Sequence, residues 1–188
     1  FPVESAPTFP ATPRPTAVPA ILHRRLIRSL REAGGRLKMA DSLGTRLTGR
    51  QLLTRILAAR LVLERVLGPD ERRVGVLLPP TAGAAIVNAA LALMGRVAVN
   101  LNYTASQSIL DICIERAGLA HVISSPAFLS RVSLDVGHRL LDAATLRQQL
   151  TLSQKLQAWT EATLLPRAAL ERRLGLDRIG PDDVLTII

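Results

Sequence analysis

The stretch Val74-Gly75-Val76-Leu77-Leu78-Pro79-Pro80, continued by Thr81 to Met94 and then by Gly95-Arg96-Val97-Ala98-Val99-Asn100-Leu101-Asn102-Tyr103-Thr104, decides the fold. It reads as strand, tight turn, helix, glycine stop and second strand. The first run is β-branched and leucine-rich and ends at a double proline, which cannot continue a central strand. Thr81 is placed to cap the helix that follows. Ala84 to Met94 is apolar nearly all round, so burial on several sides is expected, with Asn88 buried or half-buried and bonded to a neighbouring element. Gly95 suits the left-handed position past a helix end. A strand-helix-strand unit of this size is a right-handed parallel crossover. Its strands do not alternate polar with apolar, so the sheet should be covered on both faces.

Working outward, 188 residues are enough for one domain with a real core. Hydrophobic residues make up 48% and aromatics 3%, so Leu, Ala, Val and Ile must fill that core. The single cysteine, Cys113, excludes an internal disulfide framework and points to a reducing compartment. The chain opens on Phe1 with no basic-then-apolar signal pattern, and it is read as a piece of something longer. The uncharged run from Val74 to Gly95 has the length of a membrane span, but Pro79, Pro80, Gly83 and Asn88 interrupt it.

The net charge of +9 is unevenly spread. Residues 1–73 hold fourteen basic and six acidic groups, whereas 74–130 balance. A basic surface favours anionic partners; the plainer reading is a solvated arginine-rich face.

Residues 1–20 contain six prolines by Pro19 and no apolar periodicity, which reads as a linker. A domain is expected over 21–188. Ile21 to Arg31 is a short helix with an apolar stripe of Leu22, Leu26, Ile27 and Leu30. Arg24, Arg25, Arg28 and Arg31 fill the rest, offering contact with an anionic membrane surface. Its stripe is short, which favours a surface helix packed on its own domain. Arg36 to Ala40 and Thr45 to Leu47 flank Asp41-Ser42-Leu43-Gly44 as a β-hairpin. Thr48 and Gln51 form a capping box for a helix reaching about Leu67. Thr104 and Gln107 offer a second capping box, for a helix stopped by Gly118. Leu119 to Ser124 is the next strand, Ser125-Pro126 opens a short helix, and Val136 to Leu141 is a weaker strand. Helices follow over 144–150, 152–165 and 167–174, then the loop Gly180-Pro181-Asp182-Asp183 and a strand over Val184 to Ile188.

Motifs that carry chemistry are few. The turn Pro79 to Gly83 lies where a phosphate loop would lie, yet has one glycine and no lysine. His23, His121 and His138 share no metal-ligand spacing, and Cys113 has no partner, so no metal site is readable. His121 reads as a core or edge histidine. Ser124, His138 and Asp142 form a nominal Ser-His-Asp set without a nucleophile elbow. Asp182 and Asp183 are adjacent carboxylates that point apart on an extended chain. Asn102 and Tyr103 sit at a strand's carboxyl end, where open α/β sheets place ligands; a turn asparagine and a rim tyrosine are the favoured reading.

Leu37 to Ser42, the helix from Thr48, Val74 to Pro80, Ala89 to Leu93 and above all Arg96 to Thr104 resemble the start of an AMP-forming adenylating enzyme. The resemblance covers 21–188. It is nearest to the acyl-acyl-carrier-protein synthetase domain of bifunctional 2-acylglycerophosphoethanolamine acyltransferases. Pro181 to Ile188 resembles the strand that feeds that family's Ser/Thr/Gly-rich, lysine-bearing phosphate loop.

The resemblance implies an α/β fold: a layered, mostly parallel sheet with helices on both faces, the first part of the large N-terminal domain, preceded by a β-hairpin. It implies a parent ligase that uses ATP and magnesium to turn a fatty acid into an acyl-adenylate. The acyl group then passes to acyl carrier protein or CoA and on to a lysophospholipid. Such an enzyme would be cytoplasmic, peripheral on the inner face of the cell membrane, with an acyltransferase domain upstream of the linker. The family's phosphate loop, adenine pocket, magnesium-binding acid and C-terminal lysine would all follow Ile188. No catalytic, cofactor-binding or metal residue of the family therefore falls on this sequence, and the fragment is expected to be inactive by itself.

The rival reading is a self-standing basic module for a membrane surface. Nucleic acid is disfavoured because Tyr103 and Trp159 are the only large polar-tipped aromatics and make no stacking platform. A dinucleotide-binding enzyme would need a glycine fingerprint that the chain lacks.

Overall fold

A computed structural model describes residues 21–188, so the linker expected over 1–20 lies outside the described residues. The chain opens with helix α1 (Leu22–Ala33), which ends where Gly34 adopts a positive φ. Strands β1 (Leu37–Ala40) and β2 (Arg46–Thr48) then pair antiparallel as the expected hairpin. Asp41 shapes its turn: one carboxylate oxygen accepts the N–H groups of Leu43 and Thr45 at 3.0 and 2.9 Å.

Helix α2 (Gly49–Val66) starts at the capping box read from the sequence, with both reciprocal bonds made. Gly49 is required by packing. A Cβ there would lie 2.3 Å from the Leu30 carbonyl oxygen and 2.6 Å from the Ala33 Cβ, so α1 and α2 meet where only hydrogen fits.

Five strands make the main sheet: β3 (Arg73–Val76), β4 (Val97–Asn100), β5 (Val122–Ser124), β6 (Leu140–Asp142) and β7 (Thr186–Ile187). Their order is β6-β5-β3-β4-β7, and every pair is parallel. Between them run α3 (Ala82–Leu93), α4 (Gln107–Ala117), α5 (Pro126–Val132), α6 (Ala143–Gln148), α7 (Leu152–Thr163) and α8 (Arg167–Arg173).

The steps β3 to β4 and β6 to β7 cross the sheet in one direction; β4 to β5 and β5 to β6 cross in the other. Uniform right-handed crossovers then require α3 and α6 to α8 on one face and α4 and α5 on the opposite face. The cores divide in that way. Val74, Val76, Ala98 and Ile123 pack with α1, α2, α3, α7 and α8. Leu77, Val99 and Val122 pack with Leu110, Ile114 and Leu129 of α4 and α5.

Three expectations need correction. Helix α3 begins at Ala82 and is not buried all round; Ala82, Ala90, Leu91 and Leu93 are buried, and the residues between Ala84 and Ala89 are half-buried. The reason is its position beside the last sheet strand, where nothing among the described residues covers one flank. The second capping box does not form. Ser106 precedes α4 without a side-chain bond to the helix backbone, and Gln107 instead reaches Asp111 and the backbone of Asp135. Finally, Val136 to Leu141 splits into a short turn of 3₁₀ helix (Gly137–Arg139) and β6.

The helical layer is pinned by a buried charge cluster. Glu161 on α7, only 2% exposed, takes a hydrogen bond from Gln157 at 2.9 Å and an ion pair from Arg173 of α8 at 3.2 Å. Its other oxygen lies 3.5 Å from the buried Arg60 of α2, which also pairs with Glu64. Arg31 of α1 donates to the Glu161 carbonyl at 2.7 Å. One residue thus ties α1, α2, α7 and α8. Removing it leaves the buried Arg60 guanidinium with Glu64 as its one remaining ion-pair partner and Arg173 without its own, so Glu161→Leu is expected to lower the unfolding free energy by about 1–3 kcal/mol. Arg60→Met added to that variant should recover most of the loss, as read by urea denaturation.

Candidate functional site

Chemistry at an open parallel sheet is expected at the carboxyl ends of its strands. Here β3 ends in the turn Leu77 to Thr81, which leads to α3 on one face, and β4 leads to α4 on the other. The α3 N-terminus is therefore the natural anion site. It is already filled: Asp41 of the hairpin accepts the Ala82 N–H at 3.0 Å, and the Thr81 hydroxyl lies 3.5 Å from the Ala84 N–H. The Ala82 and Thr45 amides hold the Asp41 carboxyl below the usual carboxylate range. The protein supplies its own anion where a phosphate would sit.

The neighbouring rim residues are likewise occupied. Asn102 accepts from the Thr104 N–H and hydroxyl at 2.9 and 2.8 Å, closing its own turn. Tyr103 stands partly exposed, edge-on to Phe128 with ring centres 5.6 Å apart. Both follow the structural reading rather than the ligand reading.

Ser124, His138 and Asp142 do not form a catalytic set. Ser124 is fully buried and donates to the Leu77 carbonyl at 2.6 Å, although it lies opposite Asp142 in the β5–β6 register. Asp142 caps α6, held below the ordinary carboxylate range chiefly by the Thr145 hydroxyl at 2.6 Å. His138 is exposed in the 3₁₀ turn. His121 pairs with Glu71 at 2.9 Å, an edge histidine with a partner. Asp183 accepts the Gly180 N–H at 2.8 Å within its own loop. Among the described residues no cluster of His, Cys, Asp or Glu is arranged to hold a metal ion.

The polar residues that do converge lie at the β4–β7 end of the sheet. Asn88 on α3 and Asn100 on β4 exchange two amide hydrogen bonds of 3.0 and 2.9 Å. Asn100 also donates to the Thr186 hydroxyl on β7 at 2.9 Å, and that hydroxyl donates to the Ala98 carbonyl at 3.0 Å. Asn88 is half-buried, as its place in an apolar helix implied. The sequence pointed to Asn88 alone; Asn100 and Thr186 lie 12 and 86 residues away in sequence from the groups they bond, and only the sheet brings them together.

This ladder lines an open, mainly apolar groove of about 590 Å³ between α1, α3 and β7, walled by Leu22, Leu26, Ala85, Ala89 and Ala92. His23 lies at its edge and also borders a second, charged cavity of about 760 Å³, where Glu71, Arg72, Arg96 and Asp183 gather at the amino ends of the strands. His23 is 3% exposed, and neither ring nitrogen makes a hydrogen bond within the described residues. Burial lowers its pKa, against the opposing pull of the Ala92 carbonyl and Asp183.

The four arginines of α1 are mostly spent inside the fold. Arg24 lies 3.7 Å from Glu171, Arg28 pairs with Glu32 at 2.7 Å, and Arg31 bonds the Glu161 carbonyl. Arg25 alone has no side-chain partner among the described bonds. Leu22 is exposed, whereas Ile27 and Leu30 are buried against the domain. The domain-packed reading of this helix therefore holds. Among the described residues no helix is long and apolar enough to cross a membrane.

Comparison with known proteins bears on the fold. No family model matches the sequence, and no curated protein matches it. Solved structures do. The N-terminal subdomain of Klebsiella oxytoca NpsA in complex with 3-hydroxybenzoyl-AMSN superposes with a TM-score of 0.60 at 20% identity, covering 70% of this chain and 32% of that one. The artificially fused adenylation–PCP di-domain NpsA-ThdA gives 0.58 at 20% identity, covering 69% and 24%. The nonribosomal peptide synthetase FmoA3 in its AMPPNP-bound form gives 0.59 at 20% identity, covering 69% and 14%. The fold is that of the N-terminal subdomain of adenylation domains, and the chain spans about a third of the length of the first of these structures.

Two outcomes follow. Asn88→Leu leaves half of a reciprocal amide pair unsatisfied and should cost about 1–2 kcal/mol in denaturant unfolding, with Asn88→Leu/Asn100→Leu less destabilised than the sum of its single variants. The second concerns His23, whose folded pKa is depressed below the ordinary value near 6.5. Its contribution is full above that value and is lost as pH falls through it toward the folded pKa, because the unfolded chain takes up the proton first. The Tm of His23→Leu should therefore fall less than that of the natural chain between about pH 7.5 and about pH 5.5.

Proposed function

We propose that this chain is the N-terminal scaffold of an ATP-dependent acyl-activating ligase, one that joins a carboxylic acid to AMP and passes the acyl group to a thiol carrier. The observation that carries the reading is the fold: a hairpin docked on a five-stranded parallel sheet, in the arrangement of adenylation-domain N-terminal subdomains. NpsA and FmoA3 were solved with 3-hydroxybenzoyl-AMSN and AMPPNP, and NpsA was fused to a PCP. Those partners support the same class of chemistry here. The narrower substrate is a fatty acid, delivered to acyl carrier protein or CoA for lysophospholipid acylation. Its support is the residue-level resemblance over Leu37 to Ser42 and Arg96 to Thr104.

The residues present do not fit ATP and magnesium. Asp41 fills the α3 N-terminus, and a second anion there would face its carboxylate at close range. No step of the reaction is assigned to these side chains. Their task is to hold the sheet and its β4–β7 end in place.

The anionic membrane surface read from Arg24, Arg25, Arg28 and Arg31 is the weakest part of this reading, since three of the four are engaged within the chain. The decisive test is the coding sequence after Ile188. A Ser/Thr/Gly-rich loop bearing lysine within about a dozen codons supports the ligase; an immediate stop codon overturns it. In parallel, calorimetric titration of the 188-residue chain with Mg-ATP is expected to show no saturable binding, and a micromolar isotherm would refute the scaffold role.

A further inference from the structure

The hairpin carries a surface that the fold does not use. Arg36, Lys38, Arg46 and Arg50 are all exposed. All four belong to the hairpin or its flanks, with Lys38 at the register irregularity between Leu37 and Met39. Met39 and Leu47 face each other and turn inward, so Ala40 and Arg46, the next pair, face outward. Gly49 donates to the Arg36 carbonyl and Arg50 to the Gly34 carbonyl, so the Arg36 and Arg50 backbones run side by side.

Among the described residues none of these four cations is in an ion pair. Asp41 is the only acid between Glu32 and Glu64, and its oxygens are taken by the amides of Leu43, Thr45 and Ala82. Glu32 is paired with Arg28, and Arg36 reaches only the Glu32 backbone carbonyl. Arg50 lies in the first turn of α2, the end of a helix where the peptide dipoles disfavour a cation. Among these cations stand two leucines: Leu43 in the turn, 76% exposed, and Leu37 at the start of β1, 50% exposed.

Cations flanking exposed leucines match one kind of partner. Headgroups of an anionic leaflet satisfy the guanidinium and ammonium groups, and the acyl boundary beneath accepts the leucines. A nucleic acid would use the charge but leave the leucines in water, and the hairpin has no aromatic ring for a base to stack on. We infer that the β1–β2 hairpin is a docking surface for a membrane leaflet containing anionic lipid, with Arg36, Lys38, Arg46 and Arg50 at the headgroups and Leu43 at the acyl boundary. This surface is separate from the arginines of α1, and it stands whether or not the ligase reading holds, because vesicle binding does not report on acid activation.

The test is co-sedimentation of the 188-residue chain with vesicles of phosphatidylcholine alone or mixed with phosphatidylglycerol, at low and high salt. Binding is expected only to the mixed vesicles and is lost as salt rises. Lys38→Ala and Arg46→Ala should each lower the partition coefficient about fivefold at low salt, and Leu43→Ser should weaken binding without changing its salt dependence. Arg25→Ala should change little. All these positions are exposed, so unchanged thermal unfolding of each variant is the control for folding, and the lipid and salt arms need only the natural chain. Equal binding to neutral vesicles, no binding to mixed ones, hairpin variants that bind like the natural chain, or preferential capture of single-stranded RNA would each overturn the inference.

Discussion

Strand β3 has a parallel partner on each edge and a helical layer on each face. Parallel neighbours cannot be reached by a hairpin, so every connection leaving this strand must cross over the sheet. With one hand of crossover allowed, the direction of each step fixes which face its helix covers. Alternation along β3 then decides what those helices meet: Val74 and Val76 turn to one core, Leu77 to the other. Gly75 sets how closely the sheet closes. A Cβ there would come within 2.9 Å of Val122 Cγ2 and 3.1 Å of Leu119 Cδ1, so β5 and the turn before it press on β3 where a side chain would stand.

The hairpin is tied to this frame by a carboxylate as well as by the packing of Leu47 and Met39 in the helical core. Asp41 closes its own turn with one oxygen and accepts from α3 with the other, so the same side chain shapes β1–β2 and supplies the negative end that α3 needs. That arrangement explains why the carboxyl rim of β3 offers no anion site despite its position. Polar groups at the rim are consumed locally, by Asn102 in its turn and by Ser124 on the Leu77 carbonyl. The groups that link distant segments lie instead between α3, β4 and β7.

Local signals in the sequence mapped well onto this structure where a short-range rule governs them. Thr48 and Gln51 are three residues apart and bond as that spacing requires; Thr81, Ser125 and Gly118 mark helix ends for equally local reasons. The Val74 to Thr104 unit was legible because β-branched runs and a small-residue helix alternate on a scale that only a crossover satisfies. Thr104 and Gln107 show the limit. Their spacing is that of a capping box, but Gln107 finds Asp135, 28 residues on, and the cap is lost to a tertiary contact. Arg60 and Glu161 were not legible at all. Each is an ordinary charged residue on an ordinary helix, 101 positions apart in the chain, and burial gives them meaning only once α2 and α7 pack. The partners of Asn88 were hidden for the same reason. The helix α1 was read as ending at Arg31, which omitted Glu32 and so overstated how much of its charge is free.

That last point bears on the charge of the whole chain. The basic excess lies in residues 1–73, and two groups of cations within it differ in the structure. Arg28 pairs with Glu32 on the exposed side of α1, while Arg24, Arg31 and Arg60 face acids or carbonyls of α7 and α8 and join helices across the layer. Burial of such groups is tolerable only because each has a partner. Arg36, Lys38, Arg46 and Arg50 make no ion pair among the described residues, and Arg50 sits against the helix dipole. Repulsion among four nearby cations lowers stability, slightly in water and more at low salt. Packing gives no reason for that cost, and neither does solubility, since the chain already carries +9. A surface that is unfavourable in isolation becomes favourable against an opposite charge, and the exposed leucines in the same hairpin follow the same logic for apolar surface.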